Sequence, residues 1–243
     1  MRNVIVRSGS SGQSVRELQM ALNNRLNPSP NLIVNGLFTP QTERAVLAFQ
    51  RSNWLETDGI AGPCTLNALF GTEASPIILH NVPYLSQPTP TTCWAAATAM
   101  LTRLSIQSIR MTTPQRLLTP DGALINESER GQRLEVHQTF AQLHRLRYQP
   151  PQSWPVAALI ALLRNGPIML ELLHNPSAFQ RGSGSSGHYV VIVGARGSHS
   201  PDGSTTTLRI YDPDDVSGEG IYSVVYRSML QRVPLATFGM FTQ

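Results

Sequence analysis

Val15, Leu18, Leu22 and Leu26 recur at steps of three and four, which makes one side of a helix apolar and leaves the other polar. Ser14 is placed to cap that helix. Ala45, Val46 and Phe49 follow the same spacing after Pro40, and Leu66 and Leu69 do so after Pro63. Three short helices are therefore predicted, the last closed by Gly71. Val156 to Leu163 reads as a further helix, capped by Ser153 and ended by Gly166-Pro167. The period then changes. Ile168 to Leu173, His188 to Gly194, Thr205 to Tyr211 and Ile221 to Tyr226 are short runs rich in β-branched and aromatic residues, the mark of strands. Helices first and strands afterwards predict an α+β chain, a small three-helix bundle followed by helices packed on an antiparallel sheet. The boundaries expected are 1–72 for the bundle, 73–80 for a linker and 81–243 for the second domain.

A repeat sharpens the first domain. Asn35-Gly36-Leu37-Phe38-Thr39-Pro40-Gln41-Thr42 returns twenty-three positions later as Asp58-Gly59-Ile60-Ala61-Gly62-Pro63-Cys64-Thr65. Asn-Gly and Asp-Gly favour tight turns, because both residues tolerate positive φ. Thr39 or Gly62 then falls at an N-cap, with proline at the first helical position, where a missing N–H costs nothing. Each unit is a turn that launches a helix. This paired pattern resembles the peptidoglycan-binding domain carried by many bacterial cell-wall hydrolases. The resemblance covers about sixty residues and implies a shallow groove for the stem peptide or glycan of peptidoglycan.

Charge adds little. The chain has 243 residues and a formal charge of +4, with every one of its nineteen basic residues an arginine. Residues 1–72 hold six Arg against four acids and residues 73–243 hold thirteen against eleven, so neither part is a basic arm for nucleic acid. No run reaches the roughly eighteen apolar residues of a membrane helix. The stretch Met1 to Gly12 lacks the apolar segment of a Sec signal peptide, so export by another route is expected. Cys64 and Cys93 fall in different expected domains, which argues against a disulfide between them. No His-x-x-x-His pair or regular acidic loop is present, and no metal or other cofactor is expected.

Cys93 carries the chemistry. Before it stand Gln87-Pro88-Thr89-Pro90-Thr91-Thr92, which oppose helix, and after it Trp94-Ala95-Ala96-Ala97, which favour one. The thiol is thus expected at a helix N-terminus, where the macrodipole and free N–H groups stabilise a thiolate, with Trp94 packed beside it. Among six histidines, His188 opens an apolar strand after the Gly/Ser run at 182–187, fixed by the sheet yet at its rim, as a general base requires. His80, His137, His144, His174 and His199 are read as surface residues. Asp212, at the end of the next strand, is the favoured carboxylate to orient His188, with Asp214 or Asp215 as substitutes.

Gln87, five residues and then Cys93-Trp94 resembles the nucleophile region of papain-like peptidases. That resemblance implies that the Gln87 amide and the Cys93 N–H hold an oxyanion. Together with His188-Tyr189 on an aliphatic strand and Asp212-Pro213, it covers roughly residues 80–243. It is similar to the bacterial branch that includes leader-processing peptidases of bacteriocin exporters and secreted effector proteases. Papain itself has Asn as its third residue, so the branch rests on the later motifs.

The leading expectation is a Cys-His-Asp hydrolase that cuts peptide or amide bonds of bacterial peptidoglycan. It would be a delivered antibacterial effector acting in the periplasm or wall of a target cell, with a secretion-system carrier and an immunity protein as partners. One alternative is a papain-like protease of a protein target, localised by its N-terminal domain. Another is a catalytically inert wall-binding protein.

Overall fold

The computed structural model describes residues 4–71, 77–125, 133–173, 187–215, 218, 220–232 and 238–243. His174, residues 182–186 of the Gly/Ser run and residues 73–76 of the expected linker lie outside these. The chain forms two compact units. The first is Met1–Ile77 with Arg196–Thr207 and Ser223–Arg227; the second is Ile78–Ala195 with Leu208–Tyr222 and Ser228–Gln243.

In the first unit α1 (Gln13–Arg25), α2 (Pro40–Ser52) and α3 (Pro63–Phe70) bury Val15, Leu18, Leu22, Val46, Phe49 and Leu69 against one another. Both repeated prolines sit at the first helical position, and Gly71 ends α3 in the left-handed region. Thr39 caps α2 by accepting from Thr42 N–H. Ser14 does not cap α1: Gly12 takes that place at φ 102, with its N–H on the Gly36 carbonyl at 2.8 Å.

The repeat has a physical cause. Gly36 and Gly59 both have positive φ, and each donates its N–H to the side-chain oxygen of a buried glutamine, Gln19 or Gln50, at 3.0 Å. Gln19 Nε2 then donates to Leu37 O (2.9 Å), Asn35 Oδ1 (3.3 Å) and Thr42 Oγ1 (3.4 Å). Gln50 Nε2 donates to Ile60 O (3.0 Å), Asp58 Oδ1 (2.8 Å) and Thr65 Oγ1 (3.1 Å). The turn residues and the helical threonine recur because each pair closes around one glutamine.

Within the same unit Cys64 donates to Ser204 O (3.3 Å) and Val225 N donates to Glu56 Oε2 (3.0 Å). The Arg196 guanidinium lies over the Trp54 ring, 5.6 Å from its centroid.

The second unit begins with β1 (Ile78–Leu79), inside the stretch expected to be linker. Next come α4 (Cys93–Thr102), α5 (Ile106–Thr112), a 3-10 turn (Gln115–Leu117) and α6 (Arg133–Leu143). The chain continues through β2 (Arg147–Gln152), α7 (Val156–Asn165), β3 (Ile168–Leu173), β4 (Gly187–Gly197), β5 (Thr206–Tyr211), β6 (Ile221–Val225), α8 (Tyr226–Arg232) and β7 (Phe238–Thr242). The strands lie in the order β2-β7-β3-β4-β5-β6, with β1 on β4, as an open sheet. Pairs β1–β4, β2–β7, β3–β4 and β3–β7 are antiparallel.

The α+β expectation therefore holds. Ser153 is not the cap of α7; Pro155 is, at φ −61. The strand β2 contains Pro150 and Pro151 and lies at the edge of the sheet, where proline removes no ladder bond. Alanines 95, 96, 97 and 99 leave α4 narrow enough to be buried all round, with Met100, Phe140, Val191 and Phe241 in its core.

Candidate active site

Cys93 is the first residue of α4, so its N–H has no acceptor within the helix. A small ring of bonds fixes the turn in front. Thr92 N donates to Thr89 O (3.1 Å), Thr92 Oγ1 donates to Thr89 O (3.0 Å), and Thr89 N donates to Thr92 Oγ1 (3.1 Å). Trp94 turns into the core, edge-on to Phe140, with its indole N–H on Gly122 O at 3.0 Å. Thr91 Oγ1 donates to the neighbouring Asp121 O at 2.9 Å. The start of α4 is thus moored to residues 121–122 on both sides of Cys93, whose own exposure is 5%.

His188 is the second residue of β4 and pairs with Leu172 of β3. Asp212 directly follows β5, and its Oδ1 accepts from His188 Nε2 at 2.7 Å. Cys93 also acts on the His188 ring, through a side-chain hydrogen bond and through charge. Burial disfavours the charged ring, but the hydrogen bonds and charges of Asp212 and Cys93 outweigh it, and the His188 pKa is pushed up to about 10. Its imidazolium is the form held at neutral pH.

Of the three carboxylates considered, Asp212 is the one bonded to His188. Asp214 contributes its main-chain N–H, donated to Asp212 Oδ1 at 2.9 Å, and Asp215 Oδ1 accepts from Gly220 N at 3.0 Å. Gln87 joins the same loop through its main chain, donating to Pro213 O at 2.9 Å. Its side-chain oxygen is buried without a hydrogen-bond partner.

Two histidines expected at the surface are buried instead. His137 has 0% exposure; its ring meets Tyr148 Oη (3.1 Å) and Tyr189 Oη (3.0 Å), with Glu171 Oε2 at 3.9 Å. His144 meets Thr113 Oγ1 at 2.8 Å, and burial lowers its pKa. His80 and His199 are half-buried, bonded to Leu163 O and Thr206 Oγ1. Polar residue type suggested surface; hydroxyl and carbonyl partners made burial affordable. Both cysteines are free thiols. Among the described residues no group of three or more His, Cys, Asp or Glu could hold a metal ion, and no helix is long and apolar enough to cross a membrane.

Comparisons with known proteins fall on the two halves of the chain. Residues 76–226 match the family model described as papain-like cysteine protease AvrRpt2, and residues 11–69 match that of a putative peptidoglycan binding domain. A curated relative, the zinc D-Ala-D-Ala carboxypeptidase of Streptomyces albus G, is 30% identical over 123 residues, covering 47% of this chain and 48% of its own. The chain thus spans about half the length of the curated relative it matches. A solved Burkholderia AP3 phage endolysin is similar at 24% identity and a TM-score of 0.27, over 50% of this chain and 43% of that one. A double glycine motif protease from an AMS/PCAT transporter, solved with its leader peptide, is similar at 18% identity and a TM-score of 0.39, over 67% and 92%.

Proposed function

Because this chain belongs to the AvrRpt2 family of papain-like cysteine proteases, we propose that it cuts peptide bonds of a protein target through Cys93, His188 and Asp212, with its N-terminal helical region serving to localise it. The observation that carries this reading is the chain of contacts from Asp212 Oδ1 through the His188 ring to Cys93. Asp212 holds the imidazolium, and the imidazolium stabilises a Cys93 thiolate. The thiolate attacks the scissile carbonyl, and the Cys93 N–H with the Gln87 amide receives the oxyanion. His188 gives its proton to the leaving amine. It then takes one from the water that adds to the thioester, and cleavage of the C–S bond releases the acid product and restores the thiolate–imidazolium pair.

A second reading keeps the chemistry and changes the substrate to the stem peptides of peptidoglycan. The match of residues 11–69 favours it. The two separate in one experiment. Full-length protein and its Cys93→Ala variant are incubated with an unfolded protein mixture and, in parallel, with purified sacculi, and the products are read by mass spectrometry. New protein N-termini that depend on Cys93 are expected. Muropeptide release without protein cleavage would move the substrate to the wall, and equal products from both proteins would remove Cys93 from the chemistry.

A further inference from the structure

Asp212 stands one residue beyond the end of β5, where the ladder no longer holds the chain. A carboxylate can orient an imidazole only if its own backbone is held. The main chain of Asp212 is held from two sides. Its N–H donates to Gly220 O at 2.7 Å, and its carbonyl accepts from Tyr84 Oη at 2.8 Å. Tyr84 lies three residues before Gln87, whose N–H grips the next carbonyl, Pro213 O. The phenol ring stands edge-on to Tyr211, centroids 5.6 Å apart. Its hydroxyl occupies room left by a missing side chain: a Cβ on Gly220 would overlap Tyr84 Oη and come within 2.8 Å of Asp212 O. Burial raises the Tyr84 pKa, the Ser86 hydrogen bond opposes this, and the nearby Asp215 and Asp212 charges add to the rise, so the phenol remains a donor.

We propose that Tyr84 is a positioning residue of the hydrolytic site. It pins the Asp212 main chain so that one short segment, Tyr84 to Gln87, sets both the carboxylate that orients His188 and the amide expected at the oxyanion. The inference rests on the Cys93–His188–Asp212 reading above. The titratable groups around this knot are Cys93 from α4, Asp212, Asp214 and Asp215 from the turn after β5, and Tyr84 and Tyr211 themselves. Glu171 pairs with Tyr189, whose side chain points to the opposite sheet face from that of His188.

The test uses full-length Tyr84→Phe. The His188 ring is titrated by NMR in ¹⁵N-histidine-labelled protein, and Cys93 alkylation by iodoacetamide is followed against pH. Losing one neutral hydrogen bond behind Asp212 should lower the His188 midpoint by about half to one pH unit. The alkaline limb of the alkylation profile should move down with it, and kcat should fall several-fold with little change in KM. Gly220→Ala should shift the midpoint further, and its effect should shrink when combined with Tyr84→Phe, because both act on one contact. An unchanged His188 midpoint in Tyr84→Phe overturns the proposal, whether or not the melting temperature falls. Cys93→Ser keeps the two readings apart. Activity retained in that variant sinks the functional reading, whereas an inactive Cys93→Ser beside an unshifted Tyr84→Phe sinks only the role of Tyr84.

Discussion

In the helical bundle, Gln19 and Gln50 reach into Asn-Gly and Asp-Gly turns and are 1% exposed. In the hydrolytic unit, Asp212 reaches from a turn to His188, with 19% and 12% of their side chains exposed. Both devices hold irregular backbone with a polar side chain, yet they are built differently. Each glutamine is neutral, and its oxygen and nitrogen bond groups of the turn it closes and of the helix that turn launches. The Asp212–His188 pair is ionic, and through the ring it is coupled to Cys93, the thiol proposed to react. A polar lock with all its partners inside stabilises a fold. One that ends on a reactive atom stores reactivity, and its removal should cost chemistry more than stability.

The sharpest way to break that contrast is at the thiol. Cys93→Ala should lower hydrolysis by at least about 10³-fold, and His188→Ala by a similar factor, because residues that act as one unit do not add. Thermal unfolding should stay within a few degrees of the parent in both. A large loss of stability would mean that Cys93 is a core residue. Gln87→Ala comes next, with a fall in kcat of about 10²- to 10³-fold, the worth of one oxyanion donor. Wild-type turnover would leave the Cys93 N–H and other donors as the oxyanion site.

In the bundle the signs should reverse. Gln50→Ala strands the buried Gly59 N–H, while the Ile60 carbonyl keeps the Gly62 N–H, at a cost of about 1–3 kcal/mol by denaturant unfolding. Cleavage of a small soluble substrate at 25 °C should persist. Gln19→Ala should behave alike, since its partners correspond one for one. A difference of several-fold between the two costs would show that the repeat is not an energetic repeat.

The contrast also explains what could be read from residues alone. Turn-helix units were legible because Asn/Asp-Gly and proline act through local backbone physics. The glutamines that close them were not, since Gln19 precedes its glycine by 17 positions and Gln50 by 9, and no single period aligns them. Cys93 and Asp212 each sit at a junction between loop and regular element and His188 at the start of β4, and those positions are visible as changes of pattern. Tyr84 has no such mark, because its partner is a main-chain carbonyl 128 residues away. Ile78–Leu79 is too short for a period, and Pro150-Pro151 disguise β2, so both strands exist through pairing with β4 and β7. His137 and His144 were misplaced because burial depends on partners that only the fold supplies.

The smallest effect is on pH, and it tests whether the site lock is ionic while a second buried histidine is not. His188 has its pKa raised above the ordinary 6.5, to about 10. The folded protein therefore holds a proton there that the unfolded chain releases. Stability from this group is complete below about pH 6.5 and is lost as pH rises through 10. His144 runs the other way. Burial lowers its pKa, so the unfolded chain takes up a proton first, and stability is lost as pH falls below 6.5. Denaturant unfolding of the full chain between pH 5 and 10 should thus show an alkaline limb that Asp212→Asn flattens and an acid limb that His144→Gln flattens. Neither variant should touch the other's limb. An alkaline limb that survives in Asp212→Asn would mean that the Asp212 carboxylate does not hold the imidazolium, and the difference between the two kinds of lock would then lie in exposure alone.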